Sequence, residues 1–354
     1  MSKSVVDAVD EPAAEAPAGV VEPFTPAAEA ELLEGVGPGG TLVLPGDAER
    51  VGRYLDAAHA AATHRAYAAD ADAFAIWCAR RGAVALPAAP ETIAAYLTAL
   101  ADAGAKPASI TRRASGIGWV HAQAGHGRPT EHAGVRAVLR GIRRDAATRG
   151  VRTTKACALT PAQLRALVED LPDTLAGARD RVVILVGYAL ALRASDLVGL
   201  DVRDLNTVGE GLDVYVARSK TDQDGAGETL ALAPGVRAAT CPVTAVHTWL
   251  ARSHLLEGPL LRRVDKSDHI APGSGSMATS SVRRILTRAA TRAGISSDQL
   301  SPHSLRRGFA TAAYRAGVPE AEIARTGRWK SVTVMRGYDD ATRWTAPASG
   351  RLGL

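Results

Sequence analysis

Residues 301–338 read SPHSLRRGFATAAYRAGVPEAEIARTGRWKSVTVMRGY, and this stretch decides how the rest of the chain is interpreted. His303 and Arg306 are three residues apart, so on a helix they lie on one face. An imidazole beside a guanidinium suits a phosphate that needs a proton donor nearby. The apolar face of the same helix consists of Leu305, Phe309, Ala312 and Ala316. For a single HxxR motif, an amphipathic helix with solvated polar groups is a better explanation than a phosphate site. The other motifs in the chain must therefore decide between these two interpretations.

The length of 354 residues and a hydrophobic fraction of 46% predict a globular chain with two domains. The longest apolar run, residues 182–192, has eleven residues, whereas a membrane span needs roughly 20, so it predicts a buried helix. Cys78, Cys157 and Cys241 form no CxxC pair and no even framework, which favours a reducing cytoplasm and argues against structural zinc. The N-terminus lacks the basic and apolar regions of a signal peptide, so we expect a cytoplasmic protein.

Charge separates the chain into two regions. Residues 1–50 contain ten acidic and two basic side chains, a net charge of −8, so the whole-chain charge of +5 leaves +13 on residues 51–354. Of the 42 basic residues only six are Lys, and Arg favours bidentate phosphate contacts, although GC-rich coding explains the same preference. Composition therefore indicates a nucleic-acid partner and leaves the chemistry open.

Residues 1–50 predict a disordered acidic tail, because Ala, Pro, Glu and Gly mix there without periodicity. Gly35, Gly37 and Gly40 match GxGxxG, but Pro38 interrupts the motif and no strand or helix flanks it, so we dismiss a dinucleotide site. The chain has no GxxxxGK[ST] motif. We therefore expect no nucleotide cofactor.

Residues 51–146 are helical in pattern throughout and predict an all-helical domain. The expected helices cover residues 63–80, 90–103, 109–123 and 133–145. The last two helices carry polar and basic residues suited to a DNA groove or backbone, namely Thr111, Arg112, Arg113, Arg136, Arg140, Arg143 and Arg144. A solvated face explains any one of these arginines equally well, but explains the set less well.

Residues 147–158 are polar, basic and aperiodic, and they predict a linker that includes Arg152 and Lys155. Thr160 and Gln163 then form a capping box with Pro161 at the first helical position, which predicts a domain boundary. A basic linker between two basic domains suggests a clamp that closes around a DNA duplex.

Residues 159–340 predict a mainly helical second domain with a small sheet, and residues 341–354 a C-terminal tail. After the capped helix, the expected helices cover residues 175–192, 242–253, 279–293, 303–316, 319–326 and 331–338. The expected strands are residues 212–217 and 228–232. The turn-rich loop between these strands carries Lys220.

Six chemically competent residues lie at element ends or in loops where side chains can converge, in the order Arg193, Lys220, His303, Arg306, Trp329 and Tyr338. This order resembles that of the tyrosine recombinases, also called the phage integrase family. The segment ALRASDLVGL is similar to the family's first arginine box, and PHSLRRGFAT is similar to its second. Trp329 stands where most relatives have His, as in Cre-type site-specific recombinases. The resemblance covers residues 55–340, and its motifs are specific only as a set.

The resemblance implies a fold class and an activity. The expected fold is mainly α, with an all-helical, SAM-like core-binding domain joined by a linker to an α+β catalytic domain that contains a small antiparallel sheet. The expected activity is site-specific DNA recombination through a 3′-phosphotyrosine and a Holliday junction in a synaptic tetramer. The expected partners are double-stranded DNA with inverted-repeat half-sites and further copies of the chain, without a metal or a nucleotide cofactor.

Phosphodiester exchange explains why these residue types are needed. Tyr338 would attack the phosphate and conserve the bond energy as a phosphotyrosine. Arg193 and Arg306 would neutralise charge on the non-bridging oxygens. Lys220 is expected to protonate the departing 5′-oxygen, with His303 assisting proton transfer at the tyrosine.

Two further residues have expected supporting roles. Trp329 carries an indole N–H that donates to a phosphate oxygen and cannot act as a base. Asp196, in the acidic position of the first box, is expected to orient Arg193. Arg307 competes with Arg306 for the second arginine role, and the family's spacing selects Arg306.

Each assignment has a structural alternative. Arg193 could serve as a cation at a helix C-terminus, and Lys220 as an ordinary loop lysine. Trp329 could be a core anchor and Tyr338 a half-buried aromatic. Their ordered spacing favours the joint functional interpretation. The remaining histidines lack paired Cys or an HExxH spacing, so metal ligation is not expected.

Two other functions remain open at this point. A catalytically silent DNA-binding protein of the same fold would bind its target and leave it uncut, and the complete residue set argues against it. A type IB topoisomerase or telomere resolvase would share the active site and relax or seal DNA without exchanging partners.

Overall fold

The computed structural model describes residues 61–151, 156–217 and 227–338. The chain divides into two compact units, Met1–Arg152 and Thr153–Leu354. The described part is mainly helical and contains a small three-stranded antiparallel sheet. These observations confirm the expected fold class.

The first unit is built from helices that pack around an apolar core. They are α1 (Ala61–Ala79), α2 (Pro90–Asp102), α3 (Pro107–Gln123) and α4 (Ala133–Thr148). Pro90 and Pro107 lie in the first helical turn, where their missing N–H would have no intrahelical partner. Each helix contributes to the core, which includes Phe74, Ile93, Leu97, Ile110, Ile117 and Val135.

The second unit combines helices with the sheet. Its helices are α5 (Pro161–Glu169), α6 (Leu175–Ala189), α7 (Ala194–Val198), α8 (Pro242–Ser253), α9 (Thr279–Arg292), α10 (Pro302–Arg315), α11 (Glu320–Gly327) and α12 (Val332–Arg336). Its strands are β1 (Leu205–Val208), β2 (Gly211–Val216) and β3 (Glu228–Leu232), in the order β1-β2-β3. Val214 lies opposite Leu205 on one side and Leu230 on the other.

A sharp turn after α6 brings Arg193 to its position. Ala191 adopts the left-handed conformation, with φ 47°. The N–H groups of Ala191 and Leu192 donate to the carbonyl oxygens of Tyr188 and Gly187, both at 3.1 Å, which closes the helix end. Arg193 then becomes the N-cap residue of α7. The chain therefore passes from the end of α6 to the start of α7 within the four residues 190–193.

Helix α10 lies against this turn because its residues permit a close approach. Ser301 and Ser304 form a capping box at its start, and Pro302 takes the first helical position. Gly308 faces the backbone of Leu159, and its carbonyl oxygen accepts a hydrogen bond from the Tyr188 hydroxyl at 3.1 Å. Burial raises the pKa of Tyr188 to about 12, so this hydroxyl stays a donor even in alkaline solution.

The element boundaries differ from the sequence expectations at a few places. The helix expected at residues 175–192 ends at Ala189, because the left-handed turn at Ala191 follows. The helix expected at residues 331–338 ends at Arg336, so Tyr338 lies two residues beyond it. Strand β1 and helix α7 were not expected, since each is too short for its periodicity to show in the sequence.

Gly308→Ala is expected to destabilise the second unit by about 1–3 kcal/mol, because the new methyl group overpacks the contact of α10 with the Leu159 backbone and with Tyr188 of α6. Its Cβ would collide with the Leu159 carbonyl oxygen and lie 2.8 Å from Cε2 of Tyr188. Urea unfolding of wild type and variant measures the difference. Gly141→Ala in α4 is the matched control, since nothing lies within 4 Å of that Cβ, and it should leave stability unchanged or raise it. Equal stability of Gly308→Ala and wild type would contradict the packing described.

Candidate active site

Arg306 is buried at the centre of the candidate site. Only 1% of its surface is exposed. Its Nη1 donates to the carbonyl oxygen of Ala191 at 2.5 Å, and its Cζ lies 4.0 Å from the ring centroid of Trp329. Burial, together with the like charge of Arg193, lowers the pKa of Arg306 to about 10, so the group stays charged at neutral pH. A permanent cation is thus held in place by a carbonyl group and an indole ring.

Two guanidinium groups share the carboxylate of Asp196. Nη2 of Arg328 donates to Oδ2 of Asp196 at 2.6 Å, whereas Nη1 of Arg193 lies 3.7 Å from the same oxygen. The exposed side-chain fractions of Arg328, Asp196 and Arg193 are 5%, 2% and 18%. Asp196 therefore forms an ion pair with Arg193, while its carboxylate accepts hydrogen bonds from Arg328 and from the Ser195 hydroxyl at 3.0 Å.

Several buried N–H donors of this cluster lack an acceptor among the described residues. They are Nη1 of Arg193, Nη2 of Arg306, and Nε and Nη1 of Arg328. A buried donor without a partner costs free energy, and more so when the group is charged. An anion with several acceptor oxygens would satisfy these donors together. The arrangement therefore suits a phosphate group.

Trp329 and Tyr338 lie side by side next to this cluster. Their ring centroids are 5.5 Å apart, and both rings pack in a small apolar cluster with Ala310, Ile323 and Met335. Gly327 permits this position of the indole, because a Cβ on residue 327 would overlap the ring. Trp329 is buried, whereas Tyr338 is half-buried.

The backbone of Tyr338 is fixed from two directions. Its N–H donates to the carbonyl oxygen of Met335 at 2.8 Å, and its carbonyl oxygen accepts from Oγ1 of Thr311 in α10 at 3.0 Å. Arg336 forms two hydrogen bonds of 3.0 Å to the carboxylate of Glu320, which ties α12 to α11. The aromatic ring is thereby held near α10, and Cζ of Arg307 lies 5.8 Å from its centroid.

The two proton-transfer candidates are placed differently. His303 lies in the first turn of α10 and is exposed, whereas Arg306 on the same helix is buried. Lys220 lies outside the described residues. The structure thus brings Arg193, Trp329 and Tyr338 together near Arg306, and places His303 one helical turn from Arg306.

Sequence reasoning did not assign a role to Arg328. Its burial and its pairing with Asp196 place it inside the cluster. The signal for this residue was its position next to Trp329 in the Gly-Arg-Trp turn, together with an upstream acidic residue as a potential partner. Nothing in the local pattern indicates that the two would meet, because they are 132 residues apart.

The basic residues selected in the first unit fall into two groups. Arg112 pairs with the buried carboxylate of Asp70, while Nη1 of Arg113 donates to the Tyr96 hydroxyl at 2.9 Å. Oγ1 of Thr111 donates to the carbonyl oxygen of Pro107 at 2.9 Å. The four selected arginines on α4 are exposed: Arg136, Arg140, Arg143 and Arg144. Arg152 and Lys155 lie outside the described residues.

A basic cavity of about 760 Å³ lies along α9 in the second unit. The described residues that line it include five arginines and no carboxylate: Arg179, Arg263, Arg283, Arg284 and Arg288. The nearby carboxylate of Asp180 binds Arg179 and Arg288. Arg263, Arg283 and Arg284 are exposed, so they are available to an anionic partner.

Residues 61–151, 156–217 and 227–338 contain neither a membrane-spanning helix nor a metal-binding cluster. No helix in them is long and apolar enough to cross a membrane. No group of three or more His, Cys, Asp or Glu side chains in them could hold a metal ion.

The Phage integrase family matches residues 158–343. The "Integrase/recombinase xerD homolog" of Selenomonas ruminantium is 34% identical over 291 residues, which cover 81% of this chain and 83% of that protein. "Recombinase cre" of Escherichia phage P1 is 27% identical over 280 residues, which cover 75% of this chain and 80% of that protein. Similarity to Cre is therefore moderate.

The fold also has a solved counterpart. A lambda integrase tetramer bound to a Holliday junction superposes with a TM-score of 0.51 at 19% identity, over 89% of this chain and 84% of that one. This likeness shows a shared fold. With a family match over more than half of its length and a relative 34% identical over 81% of it, the chain belongs to the phage integrase family of tyrosine recombinases.

Proposed function

We propose that the protein is a site-specific DNA recombinase that cleaves and rejoins DNA through a 3′-phosphotyrosine on Tyr338. The observation that carries this proposal is the set of buried guanidinium donors without acceptors, on Arg193 and Arg306, close to the Tyr338 ring. A scissile phosphate supplies the missing acceptor oxygens. The nucleophile then lies beside the group that it attacks.

The proposed reaction exchanges one phosphodiester for another. The Tyr338 hydroxyl oxygen forms a bond to the scissile phosphorus, and the bond between phosphorus and the 5′-oxygen breaks. Arg193 and Arg306 neutralise the charge that develops on the non-bridging oxygens, and the Trp329 indole N–H donates to one of them. The 5′-hydroxyl of a second strand then attacks the phosphotyrosine and releases Tyr338.

Two residues are proposed to move the protons. Lys220 protonates the departing 5′-oxygen, which would otherwise leave as a strongly basic alkoxide. His303 assists proton transfer at the Tyr338 hydroxyl, and its exposed position at the start of α10 suits a group that meets the DNA. Bond energy is conserved, so the scheme requires no ATP.

The proposed substrate is double-stranded DNA with inverted-repeat half-sites, bound by a tetramer of this chain. Support comes from the basic cavity along α9 and from the exposed arginines of α4. A structural relative, lambda integrase, has been solved as a tetramer on a Holliday junction. We assign residues 51–146 to core binding, 147–158 to a linker and 159–340 to catalysis. Three free cysteines fit a reducing cytoplasm.

Tyr338→Phe is expected to abolish covalent complex formation on a suicide substrate. A nick next to the scissile phosphate lets the cleaved fragment diffuse away, so wild type accumulates an adduct that denaturing electrophoresis resolves. The variant keeps the ring and loses only the nucleophilic oxygen, so its DNA affinity should be unchanged. Tyr314→Phe in α10 is the matched control and should form the adduct. Adduct from Tyr338→Phe, or from neither protein, would contradict the proposal.

The double variant Arg283→Ala, Arg284→Ala is expected to bind duplex DNA more weakly and with a smaller salt dependence. For each phosphate that the variant no longer neutralises, the slope of log K against log salt concentration should become shallower by about 0.9. Fluorescence anisotropy at several salt concentrations measures both quantities. Arg237→Ala, an exposed arginine outside the cavity, is the control. An unchanged slope would exclude this cavity as a DNA-binding surface.

A plasmid with two target sites in direct repeat is expected to yield two circles. A topoisomerase would relax the same plasmid and leave its sequence arrangement intact, while a silent DNA-binding protein would leave its topology unchanged. Restriction digestion followed by gel electrophoresis distinguishes these outcomes. Relaxation without exchanged segments would overturn the recombinase assignment.

A further inference from the structure

Arg328 ends α11 and forms the corner at which the chain turns towards Trp329. The proposed reaction assigns it no role. It is the C-cap residue of α11 and adopts the left-handed conformation, with φ 54°. Glycine is the usual residue at such a position, because a side chain makes this conformation unfavourable. A strained arginine persists where its surroundings over-determine it. The contacts of its side chain should therefore explain why arginine stands here.

The side chain of Arg328 connects two separate parts of the site. Its Nη2 lies 2.6 Å from Oδ2 of Asp196, and both side chains are almost completely buried. Asp196 lies one helical turn after Arg193, whereas Arg328 directly precedes Trp329. The ion pair therefore ties the turn that carries the indole to the short helix that follows Arg193.

We propose that Arg328 is a positioning residue for strand cleavage, which holds the Asp196 carboxylate so that Arg193 keeps a donor for the scissile phosphate. The same ion pair fixes the corner that places Trp329 beside Arg306. This inference rests on the proposed function, because it assigns Arg328 a part in the cleavage of DNA by Tyr338.

The distances around Asp196 explain how Arg328 affects the position of Arg193. Nη1 of Arg193 lies 3.7 Å from Oδ2 of Asp196, which is too long for a hydrogen bond. Without Arg328, the buried carboxylate would keep the hydrogen bond from the Ser195 hydroxyl but lose its hydrogen-bonded cation, and a buried charge without a close counter-ion is strongly unfavourable. Arg193 is the cation that would move towards it. That movement would withdraw from the phosphate a donor needed in the transition state.

Arg328→Gly tests the proposal most directly, because glycine fits the left-handed conformation and the ion pair to Asp196 is lost together with the buried side chain. With DNA saturated by protein, we expect adduct formation on the suicide substrate to slow about 100-fold, as for a catalytic group misplaced by 1 Å. Equilibrium affinity for DNA should change little, since it is spread over many phosphate contacts. Arg325→Ala, an exposed arginine on the same helix, is the control and should react at the wild-type rate.

A second substitution separates positioning from simple loss of structure. If the unpaired carboxylate misdirects Arg193, then Asp196→Asn in the Arg328→Gly background should restore part of the rate, because the neutral amide no longer attracts Arg193. A purely structural role predicts that the double variant is as slow as Arg328→Gly or slower. That result would overturn the proposal.

Folding is checked by thermal melting of each variant. If Arg328→Gly does not melt cooperatively, the Arg328→Lys variant tests the proposal instead. Lysine keeps the positive charge but lacks the planar, forked N–H donors of the guanidinium. We expect this variant to be folded and slower than wild type, and a wild-type rate would overturn the proposal. An adduct from wild type with unchanged rates in both variants refutes this inference alone. Absence of the adduct from wild type refutes the proposed function itself.

Discussion

The candidate site depends on the two contacts that hold the buried guanidinium of Arg306. The guanidinium is held between the carbonyl oxygen of Ala191 and the face of Trp329, so its position links the turn after α6, the start of α10 and the corner after α11. Arg193 follows the turn after α6, His303 lies at the start of α10, and Trp329 follows the corner after α11. A shift of any element would move the cation relative to Tyr338. The close approach allowed by Gly308 and the left-handed turn at Ala191 are therefore part of the site's construction.

The charge balance of the cluster explains why these residues are arginines. Arg193 and Arg328 both pair with the carboxylate of Asp196, and the buried cation of Arg306 lies nearby, so the described part of the site carries an excess of positive charge in a poorly hydrated region. Arginine remains charged there, because even the pKa of Arg306, lowered to about 10, stays well above neutral pH. A lysine would lose its proton more readily and would lack a planar fork for phosphate oxygens. The excess charge matches a substrate phosphate whose negative charge grows in the transition state.

Much of this arrangement was predictable from sequence, and the exceptions have physical causes. Strand β3 and helix α8 begin and end where turn and proline signals place them. The apolar pattern alone would place Arg306 on a polar helix face, yet it is buried, because Ala191 and Trp329 from distant segments enclose it. The pairing of Asp196 with Arg328 was not predictable either. Such contacts arise from tertiary packing, which leaves no local periodicity in the chain.

We propose that the unsatisfied donors of Arg193 and Arg306 bind the scissile phosphate beside residue 338. The most direct measurement is a crystal structure of Tyr338→Phe on its uncleaved DNA site. We predict that the non-bridging oxygens of the scissile phosphate accept hydrogen bonds from Nη1 of Arg193 and Nη2 of Arg306, next to the substituted aromatic ring. A structure in which these donors bind protein acceptors, with the scissile phosphate elsewhere, would show that Arg193 and Arg306 do not bind it.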